Sequence, residues 1–328
     1  MPPDIWEKQN HLIKVRKNSL LQKIRYELFK CALMLRTMYF FHQQKIQKYD
    51  LIIDFSDILD SFIRIHTFSQ PTIRWVHGQL NGGSPITAKQ IKKYRSIFIK
   101  HQCVITICEQ MKQIIMQNLS LPESHFKVMH NPIDLMLIRK KASEPVKLPF
   151  DVPYLLQVSR LVQGKGHETM LDIFAKLKQH GIPHKLVFIG DGNNRVSLEA
   201  KLKQLNLQEE CYFLGEISNP YPYFKQASLF LHTSEHEGLP TVILESMALG
   251  VPVVAMDCPT GPKDILGANS EYGKLIAMNQ QDDFVQAVLD LLYDDVLYQH
   301  YQAQSLLRIH DFSMENIGQQ LENLLQAA

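Results

Sequence analysis

Five short runs dense in β-branched and aromatic residues punctuate the second half of the chain: YLLQVS, HKLVFIG, CYFLG, ASLFLHT and VPVVAM. Between them lie longer stretches of helical character, among them 166–180, 194–205 and 240–249. Strands that alternate with helices in this way are parallel, because a crossover helix is what returns the chain to begin a neighbouring strand in the same direction. The first half repeats the pattern more thinly. DLIIDF, TIRWVH, CVITIC and FKVMH read as its strands, preceded by a basic helical region from about 12 to 48.

Prolines cluster and periodicity lapses from HNPID (130–134) through KASEPVKLPFDVP (141–153), which places a boundary there. The expectation is two α/β domains facing one another, 1–149 and 150–328, with the last helix available to pack back on the first domain. A length of 328 residues with 45% hydrophobic content is enough for two cores.

Net charge is +2, but the halves differ. Residues 1–149 hold 23 Lys and Arg against 11 Asp and Glu, whereas 150–328 hold 12 against 22. A basic half joined to an acidic one calls for an anionic partner near the first. Five scattered cysteines without a C-x-x-C pair suggest neither a disulfide framework nor a zinc site, so a reducing cytoplasm is expected. The N-terminus reads as neither an export signal nor a membrane span, since its most apolar run, CALMLRTMYFF, is short and broken by Arg36.

SEHEGLPTVILESMALGVPVV (234–254) raises the sharpest chemical question. ASLFLHTS is a strand, SEHEG its C-terminal loop, and Pro240 suits the first turn of a helix that Gly250 closes. Ligands of open α/β sheets bind beyond the carboxyl ends of the strands, where helix N-termini present free N–H groups. The amides around Gly238, Leu239 and Thr241 therefore read as a phosphate cradle. Glu237 precedes the helix and projects into the crevice; Glu245 lies inside it. Together they suit two hydroxyl-bearing parts of one ligand with a phosphate between.

The frame S-x-x-E-G-x-P-x-x-x-x-E-x-x-A-x-G-x-P-V resembles the signature of retaining glycosyltransferases of family 4, which have the GT-B fold of two Rossmann-like domains about a cleft. VSRLVQGKGHETML (158–171) is similar to the family's G-R-L-x-x-x-K-G segment with Ser159 at the first glycine, and NPID (131–134), IGDG (189–192) and FLG (213–215) fall in family order. The resemblance covers residues 50–328. It implies that Arg160 and Lys165 hold a donor diphosphate, that Glu245 grips the nucleotide ribose, and that Glu237 acts on the donor sugar. His77, at the end of TIRWVH, matches the histidine that contacts the donor sugar from the first domain.

The activity implied is transfer of a hexose, with retained configuration, from a nucleotide diphosphate sugar to a saccharide or lipid-linked acceptor of a cell-surface glycan, with a UDP-sugar favoured. No cofactor, nucleic acid or metal is expected: the chain has no D-x-D, and fixed positive charge serves the leaving group instead. A non-catalytic sugar-nucleotide-binding or partner subunit, or an epimerase of the same fold, remain as alternatives. The family's opening strand and glycine-rich loop have no counterpart before residue 50, so the first domain is expected to be shortened by one or two β-α-β units, with a sheet edge exposed. The basic apolar region 12–48 has the composition of a helix lying on an anionic membrane surface, which adds peripheral docking at the inner face of the membrane to the expectation.

Overall fold

The computed structural model describes residues 49–55, 60, 68–83, 85–146 and 148–326, with positions 28, 31, 32, 35 and 39 before them. Apart from those positions, the basic region 12–48 lies outside the described residues. Four strands build the first sheet: β1 (Ile52–Asp54), β2 (Thr72–Val76), β3 (Cys103–Thr106) and β4 (Phe126–Val128). All are parallel and stand in the order β1-β2-β3-β4, so β1 is an edge among the described residues. Helices α1 (Ala88–Phe98) and α2 (Glu109–Leu119) connect them. Thr87 starts α1 through a capping box with Gln90, each satisfying a backbone donor of the other.

A helix interrupts the segment that the sequence reads as a lapse. In α3 (Leu135–Lys141), the Asp134 carboxylate accepts from the Leu137 amide at 2.8 Å, and Arg139, Lys140 and Lys141 close its last turn. Seven residues between prolines are too few to show a period.

The second sheet has six parallel strands, β5 (Tyr154–Val158), β6 (Lys185–Ile189), β7 (Cys211–Phe213), β8 (Leu229–His232), β9 (Val253–Met256) and β10 (Lys274–Ile276). Their order is β10-β9-β8-β5-β6-β7. The crossovers carry α4 (His167–Gln179), α5 (Arg195–Gln204), α6 (Tyr221–Gln226), α7 (Thr241–Ala248) and α8 (Pro262–Leu266); α9 (Gln281–Tyr293), α10 (Asp295–Arg308) and α11 (Met314–Gln326) follow β10. Both faces of this sheet are covered, and alternate residues serve opposite faces. Leu155, Leu186, Phe188, Leu229 and Leu231 pack with α4 and α9; Leu156, Val187, Ile189 and Phe230 belong to a core shared with α7, with Ile73 and Ile105 of the first sheet and with Phe98 of α1. After α10 the chain returns to the first domain's exit, where Ile133 bridges Ser313 and donates its amide to the Phe312 carbonyl.

The two sheets meet at their carboxyl ends. Beside β8, the backbone of Gly238 lies against the carbonyl of His77, which follows β2, and against the Ile107 side chain, which follows β3. From the second domain, the Asp264 carboxylate accepts from the amides of Glu109 and Gln110 at the start of α2, while the Gln110 side chain accepts from the Gly261 amide at 3.2 Å.

Candidate functional site

Strand order fixes where a ligand can enter. The chain leaves β5 towards β6 on one side and reaches β8 on the other, so the loops after β5 and β8 diverge and leave a crevice between them. These loops carry Arg160, Lys165 and Glu237, with α7 and Glu245 directly beyond.

Close backbone packing holds the loops. Gly166 sits at φ +68°, and a Cβ there would lie 1.8 Å from the Thr233 carbonyl oxygen; only glycine admits both the conformation and the approach. The Thr233 hydroxyl donates to the Gly166 carbonyl at 2.8 Å, and the Glu235 amide to the Gly164 carbonyl at 2.9 Å. The IGDG turn backs the same loop: a Cβ on Gly190 would meet the Ser159 carbonyl oxygen at 2.0 Å. Ser159 itself shares a 2.9 Å hydrogen bond with His167 Nε2.

Glu237 is fixed from three sides. Its amide donates to the Pro259 carbonyl at 2.8 Å, and the Thr260 hydroxyl donates to the carbonyls of Glu237 and Gly238 at 2.7 and 3.1 Å. Oε1 of its carboxylate accepts from Lys165 Nζ at 2.6 Å and lies 3.2 Å from His232 Nε2. Oε2 has no partner among the described residues. Burial alone would raise this carboxyl, but the His232 hydrogen bond and the attraction of His232 and Lys165 outweigh it and hold Glu237 at about 2. It is an ionised carboxylate with one oxygen anchored and the other available.

Glu245 is the opposite case. One turn into α7, it has no hydrogen-bond or ion-pair partner among the described residues, and burial pushes its carboxyl up to about 7. The nearby Tyr221 hydroxyl is raised by burial, with Glu245 and Asp134 adding to the effect. The amides of Gly238, Leu239 and Thr241 likewise donate to no acceptor among the described residues, and α7 begins at Thr241 with Pro240 as its cap, one position later than the sequence suggests.

Of the remaining candidates, Arg160 is exposed just after β5, without a side-chain partner among the described residues. His77 lies at the surface with its ring partly covered by stacking on Phe55 and Trp75 and its carbonyl against Gly238; that partial burial and then Arg74 lower its pKa. Lys165, Glu237 and the Gly238 turn thus stand together with the His77 carbonyl against Gly238, while Arg160 follows β5 and Glu245 lies in α7. His232 and Thr260 join the site without standing in any of its sequence motifs. The signal for the first was a histidine ending an otherwise apolar buried strand; for the second, a threonine gives none.

Comparison with known proteins shows what the chain is similar to. A chain of Campylobacter jejuni, N-acetylgalactosamine-N,N'-diacetylbacillosaminyl-diphospho-undecaprenol 4-alpha-N-acetylgalactosaminyltransferase, is 32% identical over 204 residues, 62% of this chain and 54% of that one. Lipopolysaccharide 1,6-galactosyltransferase of Salmonella typhimurium is 28% identical over 195 residues, 58% of this chain and 52% of its own. The chain spans about half the length of these curated relatives. In fold it is similar to the lipopolysaccharide outer core galactosyltransferase WaaB (TM-score 0.70, 20% identity, covering 92% of this chain and 80% of that one) and to Anabaena HepE solved with UDP and glucose (TM-score 0.73, 20% identity, 87% and 80%). The two parallel-sheet domains are those of a GT-B fold. The model of the glycosyl transferases group 1 family matches residues 138–306, which contain β5 to β10 and every loop of the crevice between β5 and β8, and the chain belongs to that family.

Proposed function

We propose that this chain transfers a hexose from a nucleotide diphosphate sugar, a UDP-sugar before others, to a saccharide or lipid-linked acceptor in surface-glycan synthesis, with retained configuration. The observation that carries the reading is the Lys165–Glu237 pair spanning the two loops of the crevice, with one carboxylate oxygen anchored and the other open. In this reading Glu245 takes the ribose hydroxyls. Arg160, Lys165 and the amides of Gly238, Leu239 and Thr241 neutralise the departing diphosphate, which calls for no metal. Glu237 and His77 face the donor sugar, where the carboxylate stabilises charge that develops at the anomeric carbon. The names of the Campylobacter and Salmonella relatives support a glycan acceptor, and the diphospho-undecaprenol in the first supports a lipid-linked one. Docking of the basic region 12–48 on an anionic cytoplasmic membrane face would bring the crevice to such an acceptor.

The test is a panel of nucleotide sugars, UDP-hexoses first, assayed for binding, for slow hydrolysis and for transfer to lipid-linked and soluble saccharides, with sedimentation on anionic vesicles alongside. Binding of a UDP-hexose with transfer is the expected result. Donor binding without turnover makes the chain a binding subunit, and a sugar altered without acceptor makes it an epimerase; either overturns the proposal.

A further inference from the structure

We infer that His232 is a positioning residue for Glu237, holding its Oε1 when a diphosphate shares the Lys165 ammonium. The inference rests on the donor reading above. His232 ends β8, a strand buried along its whole length, and the residue is 2% exposed. Such a strand favours apolar residues, and an imidazole there is costly unless it is hydrogen-bonded. Its one partner among the described residues is Glu237 Oε1, at 3.2 Å, and Nδ1 is buried without any. With a proton on Nε2 the ring donates to that carboxylate oxygen. The ring is thereby committed to a single atom of the crevice.

The second holder of that atom is Lys165, 2.6 Å away on the opposite loop. A diphosphate bound at Lys165 draws on the same ammonium, and the carboxylate, only 13% exposed, then depends on His232 to remain paired. Without His232, binding a diphosphate strands a buried carboxylate, so nucleotide affinity and turnover both fall. Substitution of Glu237 removes what would be stranded. The two residues are therefore coupled in nucleotide binding, which a packing role for the imidazole does not produce.

The experiment compares wild type, His232→Leu, His232→Asn, His232→Gln, Glu237→Gln and the double variant His232→Leu/Glu237→Gln for UDP affinity by calorimetry and for kcat and acceptor KM in transfer. His232→Leu is expected to bind UDP roughly tenfold more weakly, and the double variant to bind within about twofold of Glu237→Gln alone. His232→Gln, whose side-chain amide reaches about as far as Nε2, retains most of kcat. His232→Asn, equally polar but shorter, loses about tenfold in kcat at unchanged acceptor KM. Where His232→Leu does not fold, the Gln and Asn variants carry the comparison. Equal UDP affinity in wild type and His232→Leu, a double variant no better than His232→Leu, or Gln and Asn variants that behave alike overturn the inference. A wild-type protein that binds no UDP overturns the donor reading itself, and His232's role with it.

Discussion

The loop after β8 and the helix that follows it hold Glu237 and Glu245, eight positions apart, and treat them oppositely. In the loop, Lys165 and His232 converge on Glu237 and hold it at about 2 in spite of its burial. In α7, Glu245 is half-buried with no counter-charge among the described residues, and its desolvation pushes it to about 7. The same residue type thus becomes a fixed anion in one region and a carboxyl that exchanges its proton near neutrality in the other. Spacing along the chain says nothing of this difference; convergence of separate loops creates it. A fixed anion suits a reacting centre where positive charge develops, and a carboxyl awaiting donors suits hydroxyl groups that a ligand brings.

The largest effect expected from breaking the comparison is on turnover. Glu237→Gln keeps the shape of the side chain and removes its charge, so transfer should fall by about 100-fold or more while UDP affinity stays within a fewfold. Steady-state kinetics with calorimetry separates the two. Wild-type turnover in the variant would remove Glu237 from the chemistry.

A second, smaller effect concerns pH. A carboxyl raised from the ordinary glutamate value to about 7 binds more protons in the native than in the unfolded protein between those values. Its burial therefore costs nothing below about 4.5, and the cost grows as pH rises to about 7. Glu237, depressed to about 2, acts in the opposite sense: it stabilises above about 4.5, and that contribution is lost as pH falls towards 2. Denaturation across pH 3–8 should show Glu245→Gln flattening the upper limb and Glu237→Gln the lower. Ribose hydroxyls hydrogen-bond more strongly to the ionised carboxylate, so UDP affinity should rise severalfold from pH 6 to pH 8 in wild type and stay level in Glu245→Gln. A level wild-type profile would place the ribose elsewhere.

How much of this the sequence reveals depends on whether the cause is local. β5, β6, β8 and β9 are legible as apolar runs because both faces of their sheet are buried, so the signal survives without an alternation. β10 escapes notice: three residues, KLI, all partly exposed, carry no pattern. The frame around Glu237 and Glu245 is local, so it is readable along the chain. That Lys165 lies on Glu237 is a contact across 72 positions set by the order of β5 and β8, which no spacing encodes. Arg74 shows the same limit: TIRWV reads as a strand, yet its arginine is buried against Asp54 and Asp60, and the register of β1 on β2 that aligns it with Asp54 appears only in the fold.

The smallest expected effect tests whether the two glutamates differ in their dependence on the first domain. The Glu237 loop abuts the carbonyl of His77 through Gly238, and Thr260, which braces Glu237 and Gly238, lies four residues before Asp264. Asp264 joins the domains by accepting from the Glu109 and Gln110 amides at the start of α2. Burial raises its carboxyl, and those two amides draw it back down. Asp264→Asn retains a carbonyl acceptor but removes the negative charge from the helix start, a loss of about 0.3–1 kcal/mol in favourable contact between the domains. Because Glu245 lies within α7 and makes none of these contacts, UDP affinity should be unchanged. Turnover, which in the proposed reading draws on the His77 edge and the Glu237 loop together, should fall about two- to fivefold. Calorimetry and steady-state kinetics on the one variant decide the matter: a loss of UDP affinity equal to the loss of turnover would mean that both glutamates depend on the domain contact, and the distinction between their regions would not extend to it.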